Sequence, residues 1–225
     1  MADIIPVFPL SHVLVPGMPL PLRIFEPRYL DLLADATSGP GNASFGVVAL
    51  RRGTEALLPN APADVPDLVA VGTVAEIVEV EANDDGTQNV LAVGSRRFSL
   101  GRLITDGTAY LRAEVEWLAE ADGHLLPGQI PVTQGLCREF ARLLALLTGL
   151  ESQEPLPEDA NLLSYYVASQ IPLDPGDRQS LLADPTAADR LRRAAGLLRR
   201  EIRLLKSTRS IAIAPSVLWM IAKAN

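Results

Sequence analysis

The spacing of apolar residues changes once along this chain of 225 residues, and that change constrains the fold more than any other feature. Up to about residue 120 the chain reads mainly as strands, most clearly at 109–117, where apolar and charged residues alternate. Beyond residue 131 the period becomes the roughly 3.6 residues of a helix. Strands followed by helices predict an α+β fold. We therefore expect a β-rich part, residues 1–121, and then a helical bundle, residues 122–225.

Proline punctuates the start of the β-rich part. The residues concerned are Pro6, Pro9, Pro16, Pro19, Pro21 and Pro27. Because proline has no N–H to donate to a ladder, the strands predicted at 7–10 and 20–25 should run along edges or through bends. A helix is predicted to begin at Glu26, since Pro27 then occupies the first helical position.

Turn signals separate the later strands. Asn83-Asp84-Asp85-Gly86 is typical of a hairpin turn, and residues 53–67, which hold three prolines, are predicted to form an exposed loop. The alternation slips near Ile77, which indicates a bulge. The strands predicted around these turns are 44–50, 72–81, 89–93, 97–104 and 109–117.

Four helices are predicted in the bundle. Asp174-Pro175 and Asp184-Pro185 each supply an N-cap and a first helical position, for the third and fourth helices. The first helix should bury Leu136, Phe140, Leu143, Leu144 and Leu147. The second, 158–170, should bury Leu162, Leu163, Tyr166 and Val167. The fourth has heptad spacing at Ala188, Leu191, Ala195, Leu198, Ile202 and Leu205, which favours packing within a bundle.

The motifs of common catalytic and metal sites are missing from the sequence. It contains no G-x-x-x-x-G-K-[ST] phosphate loop and no G-x-S-x-G nucleophile elbow. Its one cysteine, Cys137, is interpreted as a small apolar helix residue, and His12 and His124 lack metal-ligand spacing. Ser207 and Lys206 are adjacent on a helix and point in different directions. We therefore predict no catalysis, no metal and no cofactor.

Basic residues concentrate near the end of the chain. Residues 186–209 hold eight basic and two acidic side chains, a net charge of +6, although the whole chain carries −7. We name the part of this segment opposite the apolar seam the basic stripe: Arg192, Arg193, Arg199, Arg200 and Lys206. We interpret it as a solvated face whose cations suit the helix dipole. Nucleic-acid binding is the alternative, and no aromatic residues interleave to stack bases.

The opening of the chain resembles the start of the LON substrate-binding domain. That family has a characteristic run, P-L-F-P-L … L-F-P-G … L-P-L-x-I-F-E-x-R-Y. Residues 6–10 (Pro-Val-Phe-Pro-Leu), 13–22 (Val-Leu-Val-Pro-Gly-Met-Pro-Leu-Pro-Leu) and 24–29 (Ile-Phe-Glu-Pro-Arg-Tyr) match nearly all of it, with Val15 where phenylalanine is common. Later stretches that agree are 71–75, 93–98 and the helical pattern of Gln179, Leu181, Leu182, Arg190 and Leu191. The resemblance covers about residues 4–206.

The resemblance implies a twisted, PUA-like β-barrel or sheet followed by a helical bundle. In Lon proteases the corresponding region helps to capture substrate proteins, and the ATPase and protease parts lie further along the chain. The resemblance therefore implies a non-catalytic module that binds protein or peptide clients. The start of the chain does not resemble a signal peptide and no apolar run is long enough to span a bilayer, so we expect a cytoplasmic protein.

The candidate partner-binding residues fall in three places. Glu26, Arg28 and Tyr29 belong to the opening motif, where a charge-assisted bond is expected to tie the helix to the barrel. Four arginines of the basic stripe and Trp219 complete the set. Trp219 belongs to the apolar tail 211–221, for which two interpretations stay open: packing back onto the bundle, or docking on another chain. The arginines are Arg192, Arg193, Arg199 and Arg200. An exposed barrel edge is a further candidate, for an extended peptide added as a strand.

Overall fold

The computed structural model describes residues 3–38, 43–51, 67–149 and 155–208. Within these ranges strands come first, interrupted by one helix, and four helices follow, which confirms the α+β prediction. The backbone contacts divide the chain into two compact units, residues 1–119 and 120–225. Most of the loop predicted at 53–67, and all of the tail 211–221, lie outside the described residues.

The first unit contains six strands and α1 in its described part. Their bounds are β1 (Asp3–Leu10), β2 (Pro19–Ile24), α1 (Pro27–Ser38), β3 (Ser44–Ala49), β4 (Val71–Ala82), β5 (Gln88–Ile104) and β6 (Leu111–Trp117). The strand order is β2-β5-β4-β3-β1-β6, and β5 also pairs with β6. This extra pairing closes β5, β4, β3, β1 and β6 into a ring and leaves β2 outside it.

The 17-residue strand β5 makes the closure possible. Its first half pairs with β2 and its second half with β6. The sequence predicted two strands here, which is wrong: the chain runs through Gly94, where a Cβ atom would lie 2.2 Å from the carbonyl oxygen of Val15. Because glycine has no Cβ, the two backbones can approach closely. The bulge predicted near Ile77 is confirmed, as the β4–β5 register shifts between Ile77 and Glu79.

The prolines of the first two strands lie where a strand neighbour is missing. In β1, residues 3–7 pair with β6 and residues 7–10 pair with β3. Pro6 and Pro9 therefore each lie in a half of the strand with a single neighbour. Among the described strands β2 pairs with β5 alone, which makes it an edge strand, as the proline pattern predicted.

Helix α1 packs against one apolar core of this unit. The ring of Tyr29 stacks on that of Phe8 with centroids 4.0 Å apart, and Leu32 and Leu33 are fully buried beside them. The hydroxyl of Tyr110 donates to Asp35 of α1 at 2.6 Å. A second core lies around Phe98, whose ring makes an edge contact with Trp117.

Four helices form the described part of the second unit. They are α2 (Gln129–Thr148), α3 (Ala160–Gln170), α4 (Pro175–Ala183) and α5 (Ala187–Thr208). The predicted cap of α4 is confirmed, since the Asp174 carboxylate accepts from the Gly176 N–H at 2.8 Å. All six heptad residues of α5 are buried. None of the described helices is both long and apolar enough to cross a membrane.

Three predictions about these helices are wrong. Asp184-Pro185 does not begin α5; Asp184 ends α4, and Thr186 caps α5 by accepting from the Asp189 N–H. Leu162 is 62% exposed, and Tyr165 is buried instead. Leu147 is exposed near the end of α2, whose buried residues are Thr133, Cys137 and Phe140. Burial raises the pKa of the Cys137 thiol to about 11, and its interpretation as a small apolar helix residue is confirmed.

A buried arginine joins the start of the second unit to its helices. Arg190 is 1% exposed, and its guanidinium lies 4.5 Å from the centroid of the Tyr165 ring. It donates to Ser164 at 2.9 Å and to Asn161. It also donates to Glu120 at 3.1 Å. The basic segment 186–209 therefore contains one arginine that belongs to the core.

Candidate functional site

An apolar groove of about 420 Å³ lies where β1, β2 and α1 meet. We name it the Phe25 groove. Its wall is mainly hydrophobic, with charged side chains at the start of α1. The residues that line it are Phe8, Pro9, Leu10, Ser11, Leu22, Arg23, Ile24, Phe25, Glu26, Arg28, Tyr29 and Leu50.

The strand-to-helix connection explains why Phe25 is exposed. Successive side chains of a strand point to opposite faces, and Ile24, the last residue of β2, is 2% exposed in the α1 core. The next side chain, Phe25, points the other way and is 66% exposed. Pro27 then begins α1, so the connection contains only two residues. An aromatic side chain is thereby held at the rim of the groove between the end of β2 and the start of α1.

Glu26 and Arg28 form an ion pair beside Phe25. Both the Nε and the Nη2 of Arg28 donate to Oε2 of Glu26, at 2.9 and 2.6 Å. The guanidinium also lies 4.6 Å from the centroid of the Tyr29 ring, within cation–π distance. Burial raises the pKa of the Tyr29 hydroxyl, which favours its neutral form. These contacts orient the charges at the rim, although a partly exposed pair adds little stability.

The structure brings the three predicted motif residues together, and it adds one that the sequence analysis did not select. Glu26, Arg28 and Tyr29 all line the groove. Phe25 was part of the quoted motif but was not singled out as a candidate. Phe25 could have been predicted to be exposed, because it directly follows Ile24, and strand alternation places neighbouring side chains on opposite faces.

The basic stripe lies in the other unit, and carboxylates pair with most of it. Arg193 bonds Asp184 at 2.7 and 2.9 Å, and Arg192 bonds Asp189 at 2.7 Å. The remaining pairs are Arg200 with Asp177 (2.7 Å) and Glu201 (2.8 Å), and Lys206 with Glu139 (3.0 Å). Hydrogen bonds from Arg142 and Lys206 lower the pKa of Glu139 to about 2.

These pairs reduce the positive charge that the basic stripe presents to a partner. Arg199 is exposed on the same helix, and Trp219 lies outside the described residues. In the part of the chain that the structure describes, no three His, Cys, Asp or Glu side chains converge as a metal site would require.

Comparison with protein families identifies one domain over most of the chain. The model of the ATP-dependent protease La (LON) substrate-binding domain matches residues 4–200. The Lon protease of Cytophaga hutchinsonii is 24% identical over 223 residues, which cover 93% of this chain and 26% of that protein. Lon protease 2 of Herpetosiphon aurantiacus is 30% identical over 210 residues, covering 90% and 24%. The chain thus spans about a quarter of the length of the curated relatives it matches.

Two solved structures of similar fold match this chain over nearly the whole of their own length. The Lon N-terminal domain protein from Xanthomonas campestris has a TM-score of 0.64 at 30% identity, covering 86% of this chain and 98% of its own. The N-terminal domain of the Mycobacterium avium complex Lon protease has a TM-score of 0.60 at 17% identity, covering 88% and 98%. The second likeness concerns the fold alone. With the family match and the shared fold together, the chain belongs to the LON substrate-binding domain family.

Proposed function

We propose that this chain is a non-catalytic protein- or peptide-binding module that holds an apolar side chain of its client in the Phe25 groove. Family membership supports substrate recognition as the class of function. The family model matches the substrate-binding domain, and the match to the Lon proteases covers about a quarter of their length, which supports a non-catalytic role.

The exposure of Phe25 at the rim of the groove is the observation that carries this proposal. Aromatic side chains are enriched among the residues that dominate protein interfaces, because they bury a large area on contact. A groove of about 420 Å³ also lies within the range of about 300–1,000 Å³ that is usual for ligand pockets. The Glu26–Arg28 pair supplies polar atoms at the rim, where they can bond a client backbone.

Nucleic-acid binding through the basic stripe is less well supported. Phosphate binding depends on cations that are free to replace counterions. Arg192, Arg193 and Arg200 are instead paired with carboxylates of the same unit. Binding of a single-stranded RNA that disappeared when the stripe arginines were changed to Glu would favour this alternative.

A matched pair of variants tests the groove. The probe is a fluorescein-labelled model protein kept unfolded by reduction and alkylation, and its binding is followed by fluorescence anisotropy. Phe25→Ser should weaken binding at least about tenfold, since it removes the aromatic contact. Leu162→Ser removes an apolar side chain of similar exposure in the other unit and should leave binding unchanged. Equal affinities for Phe25→Ser and the unaltered protein would refute the groove as the client site.

A further inference from the structure

The β4–β5 hairpin and β2 form a three-stranded sheet with two outer edges. One edge is β2. The other is the part of β4 beyond Ile77, because the pairing of β3 with β4 ends at Ser44 opposite Glu76. The Ile77 N–H still donates to Ala43 at 2.9 Å. We name residues 78–82 the β4 edge. Within the described residues, these five pair with β5 and with no second strand.

Proline removes most of the hydrogen-bond donors from the β2 edge. The Gly94 N–H donates to the Met18 carbonyl at 2.9 Å, so the peptide group of Met18 faces β5. Alternation along the strand then turns the peptide groups of Leu20 and Leu22 toward β5, and those of Pro19, Pro21 and Arg23 outward. Two of these three outward positions are proline and have no N–H. An added strand would find a single donor on this edge, at Arg23.

The β4 edge has a donor at both of its outward positions. The Asn83 N–H donates to the Thr87 carbonyl at 2.9 Å, across the hairpin. Counting back from this pair, the peptide groups of Glu81 and Glu79 face β5, and those of Val80 and Ala82 face outward. Val80 and Ala82 each offer one N–H and one C=O to an added strand.

The two faces of the β4 edge differ in chemistry. Val80 lies opposite Val90, which is buried in the α1 core, yet Val80 itself is 41% exposed. Val78, at the bulge, is 63% exposed. Glu79 and Glu81 point to the opposite face, and no described side chain forms an ion pair with either carboxylate. A complementary strand would place apolar residues beside Val80 and basic residues beside the two glutamates.

We propose that the β4 edge binds an extended peptide in which basic and apolar residues alternate, by strand addition. Main-chain bonds to Val80 and Ala82 would hold the peptide, and the glutamates would select its charge. A second copy of this chain is disfavoured as the partner, because its own edge would bring Glu79 and Glu81 against like charges. The surface is separate from the Phe25 groove, so this proposal does not depend on the groove.

Proline substitution tests the main-chain bonds. The probe is a fluorescein-labelled peptide of alternating lysine and valine, and its affinity is measured by anisotropy. Because the Val80 N–H points away from β5, Val80→Pro leaves the β4–β5 ladder intact and should raise the Kd at least tenfold. A peptide with N-methyl groups on alternate residues should lose binding to the unaltered protein in the same way. Unchanged affinity in both experiments would overturn the proposal.

Charge reversal tests the selection of basic residues. The double variant Glu79→Lys, Glu81→Lys should lose the lysine–valine peptide and gain a glutamate–valine peptide. Phe25→Ser should bind the lysine–valine peptide as the unaltered protein does. Loss of the peptide in Phe25→Ser, with Val80→Pro unaffected, would place the peptide in the groove and overturn strand addition at the β4 edge, whatever the outcome of the groove experiment.

Discussion

The guanidinium of Arg190 donates from Nη2 to Oε2 of Glu120 across 3.1 Å, joining helix α5 to the first residue of the helical unit. The same carboxylate oxygen accepts from the Tyr165 hydroxyl at 2.6 Å. Next to this cluster, the backbone of residues 121 and 122 accepts from the N–H groups of Ala187 and Ala188, at 2.9 Å each. Residues 120–122, at the start of the second unit, are thus joined to the start of α5 by an ion pair and by main-chain hydrogen bonds.

Arg190→Met is expected to destabilise the protein by about 3 kcal/mol. Breaking a buried ion pair costs about 3–5 kcal/mol, and the lower end applies because the Glu120 side chain is 36% exposed. Urea denaturation followed by circular dichroism measures the change. Arg192→Met is the control, because its exposed pair with Asp189 should contribute less than about 1 kcal/mol. Equal losses in the two variants would contradict a special role for the buried arginine.

Gly94→Ala is expected to lower the stability of the β-rich unit. The new Cβ would lie 2.2 Å from the Val15 carbonyl oxygen and 3.0 Å from its carbon, so the backbone must shift at a cost of about 1–3 kcal/mol. Gly135→Ala is the matched control: nothing lies within 4 Å of that Cβ in α2, and replacing a helical glycine should stabilise by about 0.5–1 kcal/mol. Thermal unfolding should therefore shift in opposite directions for the two variants.

The Tyr110→Phe variant should lose less stability at high pH than the unaltered protein does. Burial, followed by the hydrogen bond to Asp35, raises the pKa of Tyr110 from 10.0 to about 12. The folded state therefore favours the neutral phenol. This contribution is complete below pH 10 and is lost as the pH rises toward 12. Urea unfolding at pH 8 and pH 11 should show a smaller decrease for Tyr110→Phe than for the unaltered protein, and parallel decreases would contradict this account.

Local signals in the sequence predicted much of the fold and part of the candidate site. The hairpin turn, the bulge near Ile77 and the Asp174 cap depend on interactions within a few residues, and all three are confirmed. The opening motif carried Glu26, Arg28 and Tyr29, which line one groove. Whether those residues contact a client remains a prediction, and so does any role for Trp219.

Other features depend on neighbours that are distant in sequence. Heptad spacing identified the buried face of α5, but it does not distinguish Arg190 from Arg192. Packing against α3 and Glu120 buries Arg190, whereas Arg192 stays exposed to water. Leu162 and Tyr165 were misassigned for the same reason, because the apolar residues of α3 are spread around the whole helix and periodicity alone does not orient such a helix.

Sequence alone determined the order of strands and helices, since turn residues, caps and apolar periods act over short distances. Only the tertiary structure decided which strand edge stays open. Proline marked β2 as an edge. Among the described residues, β4 has no second strand neighbour beyond Ile77 because the β3–β4 pairing ends at Ser44, and no local pattern in β4 records where its neighbour ends. The Phe25 groove likewise exists only because β1, β2 and α1 meet, which is a property of long-range packing rather than of any one segment.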